Sequence, residues 1–198
     1  MFDRMTQKNI SLVIIGAAAT VAGYLYLAST GRLSPSFRPH VGEDALAAKF
    51  EELSKHGNSS CSAEFTTSVA AMPDGARLQG SCCSPMDLHR YSEQVAGLKK
   101  YSHIPEIPPD PYDVDVALAK RMQRYYDVEL TGQQQAAYDY AMEHSHEKGP
   151  CCCKCWRWYV YGGLAKYLIQ NYGFTGEQVT DVWNLSDGCG GAGDHAGH

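Results

Sequence analysis

Four cysteines, Cys151, Cys152, Cys153 and Cys155, follow directly on Gly149-Pro150. Thiolate is a soft ligand, so this run points to a soft ion such as Cu(I), which accepts few sulfurs; zinc is the alternative if a fourth ligand is found. If Pro150 opens a helix, Cys151 and Cys152 occupy its first turn, where free amides and the macrodipole favour thiolate over thiol. Helical spacing then puts Cys151 and Cys152 on a shared face with Cys155 and turns Cys153 away, so that two or three sulfurs converge. The candidates to complete a site are Cys82 and Cys83, His144 and His146 just upstream, and Cys189 in a glycine-rich tail. Met86 and His89, three apart, would make a copper-friendly addition.

Other chemistries compete for the same residues. The chain has 8 cysteines, an even count that suits disulfides outside the cytoplasm, although neighbours such as Cys151 to Cys153 cannot all bridge one another. Cys152-Cys153-Lys154-Cys155 is formally C-x-x-C, yet the βαβ context of a thioredoxin-like redox motif is missing. Trp156 stands where covalent haem attachment needs histidine. No Ser/His/Asp constellation, phosphate loop or paired-carboxylate pattern points to an enzyme. Trp156, Trp158, Tyr159 and Tyr161 flank the cysteines and can shield them or present an aromatic surface.

The stretch from Pro150 to Cys155 has a P-C-x-C-x-C frame. It resembles the bacterial membrane-anchored or lipoprotein family named for its PCYCGC motif, whose function is uncharacterised. Cys152 stands where that family has tyrosine and Lys154 where it has glycine, and no lipobox cysteine follows the apolar run. The resemblance covers residues 150–155 and implies metal or thiol chemistry in a layout of anchor plus domain.

The elements that must position these residues begin with an apolar run. Residues 10–29 (ISLVIIGAAATVAGYLYLAS) carry no charge and match the roughly 20 residues a helix needs to cross a bilayer. The expectation is a tail over 1–9, a transmembrane anchor over 10–29 and a Gly/Pro/Ser linker over 30–42. A helical cysteine-rich domain over 43–187 and a Gly/His-rich tail over 188–198 follow. A short tail before the anchor favours a single-pass protein of the cell membrane with its domain on the extracytoplasmic (periplasmic) side, and a cleaved signal peptide is the alternative. Small residues Gly16, Ala19, Thr20 and Gly23 share one face of the span and permit a membrane-protein partner. A net charge of −5 without a basic patch argues against nucleic acid.

Within the domain, Leu46, Phe50 and Leu53 have helical spacing, and Ser84-Pro85-Met86-Asp87 reads as a helix start. A further helix is expected from about Pro111 to Val128. Thr131 and Thr175, each followed three residues later by glutamine, offer capping boxes. Pro150 to Asn171, rich in Trp, Tyr and Leu, is the expected central helix. The fold class is thus mostly α: a single N-terminal transmembrane helix followed by a small helical bundle with long loops. No alternating pattern is long enough for a sheet. The expected function is membrane-anchored soft-metal (copper-like) binding for sequestration or delivery. The alternative is a structural accessory subunit of a membrane complex, stabilised by disulfides or a structural zinc.

Overall fold

A computed structural model describes residues 41–190 of the protein. The described part is mostly helical: α1 (Val41–His56), α2 (Ala63–Val69), α3 (Leu88–Leu98), α4 (Val116–Tyr125), α5 (Gly132–His144), α6 (Trp156–Tyr172) and α7 (Gly176–Ser186). Two short strands, β1 (Arg77–Gln79) and β2 (Asp113–Asp115), pair antiparallel with Leu78 opposite Val114.

The expected fold class needs correcting. No helix among the described residues is long and apolar enough to cross a membrane. The anchor expected over 10–29, the tail over 1–9 and residues 191–198 lie outside the described residues. Gly42, expected in the linker, belongs to α1. A small sheet is present, and strands of three residues are too short to register as alternation. The polar, turn-rich stretch over 58–80, expected as a loop with room for a short strand, holds β1 and also α2, begun by Ser62, whose hydroxyl accepts from the Phe65 amide.

Several helix starts are written in local capping chemistry. Asp87, not Ser84, caps α3 by accepting from the Arg90 amide, and Asp115 caps α4 through the Leu118 amide. The expected helix from Pro111 therefore begins later, because residues 113–115 are spent on β2. Gln134 and Gln178 accept from the backbone amides of Thr131 and Thr175, which closes the two expected capping boxes.

Helix α6 is the centre of the molecule. Val160, Tyr161, Leu164, Ala165, Leu168 and Ile169 are all buried along it, and it packs most extensively on α4 while α5 packs on α7. Tyr159, one of the aromatics after the cysteines, is only half-buried and stacks edge-on against Tyr126. The approach of α4 to α6 depends on Gly163, since a methyl group there would stand 1.8 Å from the Met122 carbonyl oxygen. Gly163→Ala is accordingly expected to lower stability by about 3 kcal/mol as the helices are forced apart. An unchanged urea midpoint would contradict that close approach. A second apolar cluster, Leu53, Tyr91 and Tyr112 with Leu46 and Phe50, fixes α1 against α3.

Candidate metal centre

Four stretches of backbone carry the eight cysteines, and hydrogen bonds fix each stretch. The first, leading to Cys61, lies beside β1. The Asn58 and Ser59 amides donate to Gln79 O, while the Asn58 side chain accepts from Gln79 N and donates to Arg77 O. Gly57 and Gly80 face one another so closely that a Cβ on Gly57 would meet Gly80 Cα at 2.9 Å. Trp156 Nε1 donates to Ser59 Oγ at 3.0 Å and ties this stretch to the start of α6.

The second and fourth stretches are joined to each other. The Cys82 amide donates to Gly188 O and the Ser84 amide to Cys189 O, a pair of bonds that lays Cys82 and Cys83 alongside Cys189. The tail expected from residue 188 is thus pinned as far as it is described. Gln94 Nε2 donates to Asp187 O, and the Asp187 carboxylate accepts from the Cys189 amide.

The third stretch overturns the expected helical placement. Lys148 has φ 53° and Gly149 φ 154°. Ser145 Oγ both accepts from the Gly149 amide and donates to its carbonyl. Residues 151–155 follow as a series of bends, and the helix begins only at Trp156, with Cys155 as its N-cap. The expected helical face of Cys151, Cys152 and Cys155 therefore does not exist. The helix start, and with it the dipole benefit, falls to Cys155, where the nearby Arg157 amide favours the thiolate. Cys153, expected to face away, lies 2.7 Å from Cys61 and 3.9 Å from Cys83, sulfur to sulfur.

All eight sulfurs form one contact network. Cys151 lies 3.7 Å from Cys155 and 3.5 Å from Cys189, and the Cys82, Cys151 and Cys189 sulfurs all lie within 4.8 Å of one another. Cys83 lies 3.6 Å from Cys82 and 3.9 Å from Cys152, and Cys152 lies 2.9 Å from Cys189. Four sulfurs placed tetrahedrally about an ion at about 2.3 Å are separated by about 3.8 Å, close to most of these distances. The cluster can hold a metal ion: among the described residues Cys61, Cys153 and Cys155 form one convergent group, Cys82, Cys151 and Cys189 a second, Cys83, Cys152 and Cys189 a third, and Cys151, Cys152 and Cys153 a fourth. All eight cysteines are free thiols.

Histidine takes no part in these groups. His144 is exposed, stacked on the Tyr140 ring, with Nδ1 2.8 Å from Tyr140 O. His146 is also exposed, and its amide donates to Asn184 Oδ1. His89 pairs with Glu93 on the surface, and Met86 packs in the second apolar cluster. Cys61 is the ligand that reading the sequence missed. Its only signal was arithmetic: seven of eight cysteines had been given a role.

Behind the cluster lies a fully buried cation. Arg157 Nη1 donates to Pro111 O at 2.6 Å and Nη2 to Gly80 O at 3.2 Å. The guanidinium lies 4.6 Å from the Trp156 ring and so close to Gly188 that a Cβ there would meet its Cζ at 2.0 Å. One side chain thus touches the loops bearing Cys82 and Cys189 from a position two residues after Cys155. Burial opposes its charge, but Tyr161, Cys82, Cys151 and Tyr112 more than offset that, so Arg157 stays cationic.

The thiols share their protons unevenly. Hydrogen bonds from Cys151, Cys155 and Cys189 hold Cys82 far below the ordinary thiol range, against burial and with help from Arg157. Contacts with Cys155, Cys189 and Cys82, together with burial, push Cys151 far up. For Cys155 and Cys189 the Cys151 contact lowers the value, but Cys82 and burial outweigh it and both end raised. Burial raises Cys83 and Cys153 as well. Cys82 is thus the thiol among these whose ionisation its surroundings favour. A bound cation would supply the charge that lets its neighbours ionise.

No family model matches this sequence, and comparison with characterised proteins and with solved structures found no similar chain.

Proposed function

We propose that the domain binds soft metal ions of the Cu(I) type in a polythiolate cluster, serving their sequestration or delivery. One observation carries the reading: eight sulfurs lie in a single contact network, and among the described residues no nitrogen or oxygen ligand enters the convergent groups. An all-sulfur set favours soft ions, because carboxylate and imidazole suit harder ones. One tetrahedral ion uses four ligands, so eight sulfurs support more than one ion per chain. The test is anaerobic titration of the reduced protein with Cu(I) presented by a chromophoric chelator. About two or more ions per chain are expected, with all eight thiols becoming reactive again once the metal is stripped. Less than one ion per chain would overturn the proposal.

A second reading is favoured by the short Cys61–Cys153 and Cys152–Cys189 separations, 2.7 and 2.9 Å. These are the pairs that an oxidant would join first, giving a structural domain held by disulfides. Protein isolated without reductant that shows four reactive thiols, unchanged by chelator and with no metal, would support this reading against the first.

A further inference from the structure

Resting on that reading, we infer that the cluster is built in two layers, an inner set that retains metal and an outer set through which metal enters and leaves. The inner layer is Cys82, Cys151, Cys155 and Cys189. Cys151, Cys155 and Cys189 are buried, with 1, 2 and 5% exposure, and Cys82 is half-buried among them. This layer is backed by the buried Arg157 guanidinium, whose charge acts on Cys82 and Cys151. The outer layer is Cys61, Cys83, Cys152 and Cys153, of which Cys61, Cys83 and Cys152 are exposed and Cys153 is half-buried.

Both cysteine runs divide between the layers. Cys82 lies inside and Cys83 outside; Cys151 and Cys155 lie inside, Cys152 and Cys153 outside. The layers also touch along several edges: Cys82 with Cys83 at 3.6 Å, Cys152 with Cys189 at 2.9 Å, and Cys155 within one convergent group with Cys61 and Cys153. An ion held by outer thiolates therefore has inner sulfurs within one ligand's reach.

Transfer is a ligand exchange with no redox change. An inner thiol loses its proton to the outer thiolate being released, the new metal–sulfur bond forms as the old one breaks, and Cu(I) remains Cu(I). Exposure decides which ions leave again. Thiols or chelators in solution reach an ion bound through the exposed Cys61, Cys83 or Cys152, whereas an ion in the Cys82, Cys151 and Cys189 group is held by two buried sulfurs and one half-buried one.

The experiment is a competition titration of the full reduced chain, with Cu(I) delivered and then withdrawn by a chromophoric chelator. The wild type is expected to show a tight class and a second class withdrawn at about tenfold or more lower chelator concentration. The variant C61S/C83S/C152S/C153S should keep the tight class and lose the second, and Cys151→Ser, which breaks the Cys82, Cys151 and Cys189 group, should lose the tight class. The outer substitutions are mostly on exposed side chains, so that variant decides the matter even if Cys151→Ser fails to fold. A single class in the wild type, or loss of the tight class on removing the outer sulfurs, overturns the layering and leaves metal binding standing. No binding by the wild type overturns the function on which it rests.

Discussion

Loading the reduced protein with Cu(I) is expected to raise its melting temperature by about 8–16 °C when free ion exceeds the dissociation constant about a thousandfold. That excess is worth about 4 kcal/mol, and a domain of this size shifts by roughly 2–4 °C for each kcal/mol. The structural reason is that Cys61, Cys82, Cys151 and Cys189 sit on four separate stretches of chain with free thiols, so an ion bound among them closes loops that hydrogen bonds alone now close.

pH separates this effect from general stabilisation. In the unfolded chain thiols ionise near pH 8.5, whereas folded, metal-free Cys151, Cys155 and Cys189 hold their protons to higher pH. Above pH 8.5 the unfolded state therefore binds fewer protons than the folded one. The stability these three thiols contribute is complete below that pH and falls as pH rises, by about 1.4 kcal/mol for each thiol and pH unit. Cys82 has the opposite shift. Its contribution is already complete above pH 8.5 and is lost only as pH falls. Metal-free protein should thus melt progressively lower between pH 8 and 9.5, while loaded protein, whose thiolates are already ionised when folded, should gain stability as pH rises to about 8.5 and flatten above it. Anaerobic melting with and without Cu(I) across that range checks both statements. Equal melting temperatures at pH 7, or a level metal-free profile, would contradict them.

Replacing Arg157 by leucine is expected to damage stability and metal affinity together. The substitution leaves Pro111 O and Gly80 O without their donors and removes the buried charge nearest Cys82 and Cys151. Breaking a buried charged arrangement costs about 3–5 kcal/mol, and each orphaned carbonyl about 1–3 kcal/mol of that kind. The two effects separate with Arg157→Lys. Lysine keeps the charge but lacks the planar fork that reaches two carbonyls at once. It should therefore recover most of the metal affinity and little of the stability. If leucine and lysine variants bind Cu(I) equally well once both are folded, the charge does not act on the cluster.

How much of this was legible in the chain follows from the range of each interaction. The starts of α5 and α7 were readable at Thr131 and Thr175 because a capping box is closed by residues three apart. Helical spacing also put Leu46, Phe50 and Leu53 on one face of α1, and there Leu53 is buried with Leu46 and Phe50 packed partly buried against its cluster. The start of α6 was not readable. Pro150 is a permitted first residue of a helix, but Lys148 and Gly149 take positive φ and the Cys151–Cys155 bends are held from outside by Cys82, Cys83 and Cys189.

The sequence by itself determined the chemistry: sulfur ligands, clustered in number, beside aromatic shielding. It could not determine the arrangement. Cys61 joins Cys153 across 92 positions and Cys151 meets Cys189 across 38, and no local spacing encodes such contacts. They follow from the Asn58 bonds to β1, the Gly57–Gly80 approach, the bonds between residues 82–84 and 188–189, and the Arg157 fork. Tertiary structure alone turned a set of two or three sulfurs into eight and buried three of them, Cys151, Cys155 and Cys189, because only packing decides which thiols water can reach.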